Sequence, residues 1–286
     1  MLKINRFRKL IILLCLIVSA NFYLLEVYGQ SLLWKINGGD LYAASYLYGT
    51  IHIKDKRVYG FSDSVLTAFE KCDAFAMEVD LNPENLARLS QKMILPDEMT
   101  LQDLFTEKEY QLIKTVVEDI IGIDISLLNK LKPIAILSLV MNYQFANDVE
   151  MSVDEYFYRE AIIKDKKIIG IETIEEQLEI LEAIPNDYIV DYFKNIDQAK
   201  EDMEIIITLY QSAELEDLLE MMLKDKSMVM IQQTLLTDRN IKMSERIQKL
   251  IKEQSVFIAV GAGHLPGQKG IINILTRAGY NVEPVR

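Results

Sequence analysis

The run Val256-Phe257-Ile258-Ala259-Val260 is apolar at every position. Alternating apolar and polar residues mark a strand with one wet face, whereas a short unbroken apolar run ending in turn residues marks a strand covered on both faces. Such a strand needs paired neighbours for its backbone, and most of the other strand-like segments lie far away in sequence. "LLWKINGGDLYAASYLYGTIHI" (32–53) reads as a hairpin about Asn37-Gly38-Gly39-Asp40, residue types that tolerate positive φ in tight turns. "CDAFAMEVDL" (72–81) is a short apolar strand with Glu78 near its end, and "KKIIGIET" (166–173) is β-branched. "YNVEPV" (280–285) is a final strand.

Helical patterns fill the space between these strands. From about Pro83 to Lys166 apolar residues recur at the 3.6-residue period, as in "EYQLIKTVVEDIIG" and "PIAILSLVMNYQF". Asn82-Pro83 reads as an N-cap followed by the first helical residue, and Thr173 with Glu176 as a capping box. More helix is predicted from about Tyr188 to Glu253. "QKGIINILTRA" is helical with Gly279 as its C′ residue, so the last 32 residues read strand–turn–helix–strand and predict a βαβ unit. The fold class is therefore α/β (α+β): a mixed central sheet built from N- and C-terminal segments, with a large helical middle region. No Pro-, Gly- or Ser-rich linker divides residues 30–286, which are expected to form a single domain.

The first 29 residues differ from the rest. Lys3, Arg6, Arg8 and Lys9 precede the apolar run "LIILLCLIVSA", the pattern of a secretory signal peptide. Cleavage is predicted after Gly29, with Ala20 as a second site and an uncleaved signal anchor as the alternative. The expected location is thus periplasmic, cell-envelope or secreted. The whole chain has 31 basic and 43 acidic residues. Removing the four basic and one acidic residues of the signal leaves 27 against 42, a net charge of −15. That balance argues against nucleic acid or an anionic membrane surface as a partner. Cys72 is the one cysteine outside the signal, which excludes an internal disulfide and a cysteine zinc site.

The chain has two histidines, His52 in "GTIH" and His264 in "GAGHLPG". Each follows an apolar strand and lies three residues after a glycine, the place where a sheet presents side chains at its rim. Glu78 ends a strand of otherwise apolar residues. If that strand neighbours the one leading to Gly49, two imidazoles and a carboxylate make an open divalent-metal site. Glu172 in "GIET" stands at another strand end, as a partner of the ligands or a general base. Arg239 and Asn240 in "TDRN" lie on a predicted helix and are candidates to face a substrate carbonyl or carboxylate. "GAGHLPG" is not a dinucleotide loop, because Pro266 takes the place of the third glycine of G-x-G-x-x-G.

Taken together, "LWKI…YLYGTIHI", "DAFAMEVD", "KKIIGIETIEEQ", "LLTDRNIKMSERI" and "VFIAVGAGHLPGQKGIINILTRAGYNVEPV" resemble the TraB/GumN family, relatives of the Tiki metalloproteases. The resemblance runs from about residue 32 to the C-terminus. It implies a fold like those of the erythromycin esterases and ChaN haem-binding proteins, with the terminal segments jointly forming the sheet. Through the Tiki branch it also implies metal-dependent peptide hydrolysis, with His52, Glu78 and His264 at the metal and Arg239 and Asn240 as site neighbours; Glu172 joins the expected catalytic set from its strand-end position alone. The expected cofactor is a divalent transition metal such as zinc, manganese or cobalt, and the expected partner a peptide or protein substrate. Two other readings are a non-enzymatic haem- or ligand-binding protein, and a metal-free hydrolase with a histidine as general base.

Overall fold

The computed structural model describes residues 30–38, 40–224 and 233–286, the last segment by backbone alone at 233–235. The expected signal peptide lies outside the described residues. Ser31–Arg286 cluster as one compact unit.

Every predicted strand forms. They are β1 (Leu33–Asn37), β2 (Ser45–Thr50), β3 (Ala74–Met77), β4 (Lys167–Gly170), β5 (Val256–Gly261) and β6 (Asn281–Val285). All six join one mixed sheet in the order β4-β3-β5-β2-β1-β6. β5 pairs in parallel with both β2 and β3, and β3 in parallel with β4. β1 is antiparallel to β2, completing the predicted hairpin, and antiparallel to β6. Val256 through Val260 are fully buried, as a strand with neighbours on both edges and cover on both faces must be. β4 is an edge strand and the most exposed of the four parallel ones, with Lys167 at its start.

One expectation needs correcting. The C-terminal strand–helix–strand unit forms, but its strands are not neighbours: β6 pairs with β1, and β2 and β1 lie between it and β5. The N-terminal hairpin occupies the place beside β5 that a simple βαβ unit would have used.

Eleven α-helices are seen among the described residues: α1 (Asp63–Lys71), α2 (Pro83–Lys92), α3 (Glu107–Ile121), α4 (Pro133–Gln144), α5 (Val153–Ile163), α6 (Ile174–Glu182), α7 (Asn186–Lys194), α8 (Ile196–Gln211), α9 (Leu215–Met222), α10 (Arg239–Glu253) and α11 (Ile271–Arg277). The caps read from sequence hold. Asn82 accepts from the Asn85 N–H, and Thr173 with Glu176 closes a capping box. Gly279 takes φ +95° after α11. Phe69 of α1 and Phe157 of α5 meet Phe257 of β5 at centroid distances of 5.3 and 5.1 Å, so both helices cover the same sheet face. A second, smaller core is built by α3, α4 and α7 around Ile113, Val117, Ile136, Val140 and Phe193. No described helix is long and apolar enough to cross a membrane.

Candidate functional site

Parallel strands point their C-terminal ends to one edge of a sheet, and ligands of such sheets bind there. That edge carries four of the six candidates: His52 follows β2, Glu78 follows β3, Glu172 follows β4 and His264 follows β5. Gly49 and Thr50 of β2 pair with Val260 and Gly261 of β5, so the two G-x-x-H stretches leave the sheet side by side.

Their glycines do different work. A Cβ on Gly49 would stand 3.2 Å from Ala262 Cα, Ala262 Cβ and Leu265 Cδ2, so its absence lets one motif lie against the other. A Cβ on Gly261 would stand 3.3 Å from Glu78 Oε1, 3.5 Å from His264 Cδ2 and 3.9 Å from His52 Nε2. Three candidate side chains from three strands thus converge on the space that Gly261 leaves open.

Both imidazoles are fixed through Nδ1. His52 Nδ1 lies 2.8 Å from Oδ2 of Asp154, a buried residue in the first turn of α5. Thr50 Oγ1 donates to the other oxygen of that carboxylate at 2.6 Å. His264 Nδ1 lies 2.6 Å from Asn240 Oδ1. The Asn240 amide donates through Nδ2 to the Lys269 carbonyl at 2.9 Å, which leaves Oδ1 as acceptor and puts the His264 proton on Nδ1. Nε2 is then the free nitrogen of each ring.

The two rings are electrostatically unlike. The Asp154 carboxylate raises the His52 pKa to about 9, on a ring that is 60% exposed at the cleft. Burial lowers the His264 pKa to about 4, helped by the Arg239 and His52 charges and opposed by Glu78. His264 is therefore neutral at pH 7 and His52 protonated.

Glu78 is the hub of the site. Its Oε1 accepts from the Gly261 N–H at 2.8 Å and lies 3.8 Å from His264 Nε2. Its Oε2 pairs with Arg239 and receives Gln177 Nε2 at 3.3 Å. Burial alone would raise its pKa, but His264, Arg239 and His52 together with the Gly261 N–H hold it well below the usual carboxylate range. Arg239 also grips Glu172, Nε to Oε1 at 2.9 Å and Nη2 to Oε2 at 2.6 Å. Gln177 bridges to Glu172 Oε2 at 2.7 Å. The pairing of β3 with β4 continues past both strands, through Glu172 N–H to the Glu78 carbonyl at 2.7 Å, so the two carboxylates stay in step.

One π-helical turn, Gln233–Asp238, leads into α10. Successive helical residues point about 100° apart. Arg239 accordingly reaches the β3 and β4 ends, while Asn240 reaches the loop after β5.

The sequence placed four candidates at strand ends and Arg239 and Asn240 on a helix, and the structure brings all six to the same rim. Two roles read differently. Arg239 and Asn240 are engaged with the glutamates and with His264, rather than turned toward a substrate carbonyl. Glu172 has both oxygens occupied and its side chain is 2% exposed. Asp154 and Gln177 went unrecognised: an acidic residue in a helix's first turn has a dipole reason of its own, and a glutamine inside an amphipathic pattern carries no signal. Thr50, one residue after Gly49, was the available pointer to Asp154.

A cleft of about 360 Å³ opens beside the network, with His52, Lys54, Glu78, Asp154, Glu155 and Gln177 on its polar wall. His52 and Glu78 line the cleft, and His264 lies buried behind Glu78 across the opening kept clear by Gly261; two imidazoles and one carboxylate suit a divalent ion in kind. Tetrahedral bonds of 2.0–2.2 Å set ligand atoms roughly 3.4 Å apart, near the 3.8 Å between His264 Nε2 and Glu78 Oε1. Among the described residues no three His, Cys, Asp or Glu side chains stand at full metal-holding geometry.

The mixed α/β sheet gathers two histidines and a strand-end glutamate at one rim. The TraB/PrgY/gumN family model matches residues 32–284, and the chain belongs to that family. Among curated relatives, Metalloprotease TIKI1 of Danio rerio is 25% identical over 89% of this chain and 63% of its own length. Metalloprotease TIKI2 of Xenopus tropicalis is 25% identical over 89% of this chain and 60% of its own. Metalloprotease TIKI1 of Homo sapiens is 22% identical over 89% and 62%. The chain spans about three fifths of the length of these relatives. No solved structure matches it.

Proposed function

We propose that this protein is a metal-dependent protease. The observation that carries the reading is the matched anchoring of the two histidines, each tied at Nδ1 and each presenting Nε2 where Glu78 also arrives. Metal-binding histidines are oriented in this way by a carboxylate or carbonyl behind them. The names of the curated relatives agree with it.

In this reading His52, His264 and Glu78 would hold the ion. A divalent ion held there would supply Lewis-acid polarisation of a carbonyl and a lowered water pKa. Asp154 and Asn240 keep each ring in its working tautomer. Arg239, Gln177 and the Gly261 N–H hold Glu78 in place, and the Arg239 charge helps keep it ionised. A carboxylate so far below its ordinary pKa is a poor proton acceptor near neutrality and a good ligand, so Glu78 serves as ligand rather than base. Glu172, gripped by Arg239 and Gln177, is a positioning residue in this reading and not the base expected from sequence. Lys54 on the cleft wall supplies positive charge for the developing oxyanion. The export signal read in residues 1–29 belongs to the same proposal and places the activity outside the cytoplasm.

The test is metal content and hydrolysis of a defined peptide mixture by the full chain, beside His264→Ala. One equivalent of transition metal and chelator-sensitive hydrolysis in the wild type, both lost in the variant, is the expected result. Hydrolysis that persists undiminished in the variant overturns the mechanism.

The His52–Asp154 pair favours one other reading, a metal-free hydrolase with His52 as general base. A base must be unprotonated, so that activity would rise with pH through about 9 and survive chelation.

A further inference from the structure

The cleft has a second wall that the network does not explain. Leu86 and Leu89 of α2 line it, with Ile174 and Leu181 of α6, and Met77 and Leu81 at the end of β3. The sequence of α2 is amphipathic, yet the helix contributes no buried residue to either core. Leu86 is 45% exposed. The polar side of α2 is committed elsewhere: Arg88 pairs with Glu84 on its own helix and with Glu175 of α6. An apolar stripe normally faces a core. Here the two leucines face a cleft whose other wall holds His52 and Glu78.

We propose that this wall is the specificity subsite of the protein, accepting an apolar side chain of a peptide next to the bond at the centre. The inference rests on the protease reading for the word substrate, and on the cleft alone for the binding chemistry. About 360 Å³ lies at the small end of ligand pockets, roughly 300–1,000 Å³, and suits a leucine- or phenylalanine-sized group with its flanking backbone. An apolar group there would cover leucine surface now open to water. Continuity between wall and centre sets the neighbouring peptide bond beside Glu78 and His52.

The experiment uses a synthetic pool of heptapeptides randomised at one central position, with the full chain supplied with zinc or manganese. Peptides retained on the immobilised protein and peptides cleaved by it are both read by mass spectrometry. Wild type is expected to enrich Leu, Ile, Met and Phe over Ser and Asp by about tenfold, the scale on which apolar pockets discriminate. Leu89→Asp is expected to remove that enrichment, and Leu86→Phe to shift it toward smaller residues. Leu86 is part exposed and α2 buries nothing, so the Leu86 variant keeps the fold and the test alive even if Leu89→Asp does not. Apolar enrichment among retained but uncleaved peptides supports the subsite and overturns the protease reading. Cleavage without apolar preference, or a preference unchanged in both variants, overturns the subsite and leaves the protease reading standing. Neither retention nor cleavage overturns both.

Discussion

The two histidines share a local sequence and a location, yet they differ in charge. His264 sits inside the protein, where an ion is costly, and keeps its ring neutral behind Asn240. His52 stands at the cleft with a buried carboxylate behind it and holds its proton. In the metal-free protein a two-dimensional NMR titration should show one imidazole changing charge near pH 9 and the other near pH 4. Asp154→Asn should bring the first back toward the ordinary value of about 6.5. The sign for folding follows from the raised pKa: the His52–Asp154 pair contributes stability below about pH 6.5 and loses it as pH rises through about 9. Metal affinity should move the opposite way, rising over the same interval as the competing proton leaves. That both histidines mattered was legible in the sequence, because strand, glycine and histidine recur in the same order. That they would be unlike was not, because the difference lies in Asp154 and Asn240, which arrive from helices 102 and 24 residues away in the chain.

At the scale of elements, the site depends on where α6 and α10 begin. The Thr173–Glu176 capping box fixes the start of α6, and Arg246 of α10 clamps it by binding both oxygens of Glu176 and the carbonyl of Ile171. Glu172 lies inside that clamp. The Arg246 hydrogen bonds lower the Glu176 pKa to about 2, outweighing partial burial. A lowered carboxylate pKa stabilises the fold above its unfolded value of about 4.5, and that stability disappears as pH falls through about 2. Arg246→Gln should therefore lower Tm at pH 7 and flatten the acid limb of its pH dependence, as scanning calorimetry would show. The capping box and the strand leading to it were readable from residue types at fixed spacing. The clamp was not, since an arginine beside the apolar face of an amphipathic helix reads as an ordinary solvated charge.

For the whole molecule, the sequence showed strands at both ends and helices between, and one sheet is the physical answer to that arrangement. It did not show the order, because pairing partners are chosen by packing across the sheet rather than by proximity along the chain. The helical middle also separated into two cores, which periodicity alone cannot divide. Stability should be distributed accordingly. Amide hydrogen exchange should be slowest in β5 and β2, which are wholly interior to the sheet, and among the fastest of the helices in α2, which buries no residue. Equal protection of α2 and the central strands would contradict this account of the fold. The pairing of Thr50 with Gly261 has one more consequence, for the moment the chain is made. A ribosome has polymerised His52 and Glu78 long before it reaches His264, so the unfinished chain holds no complete centre. The two histidines can meet only after the strand carrying Gly261 has been made and paired, and a product cut short before it would lack the His264 ring.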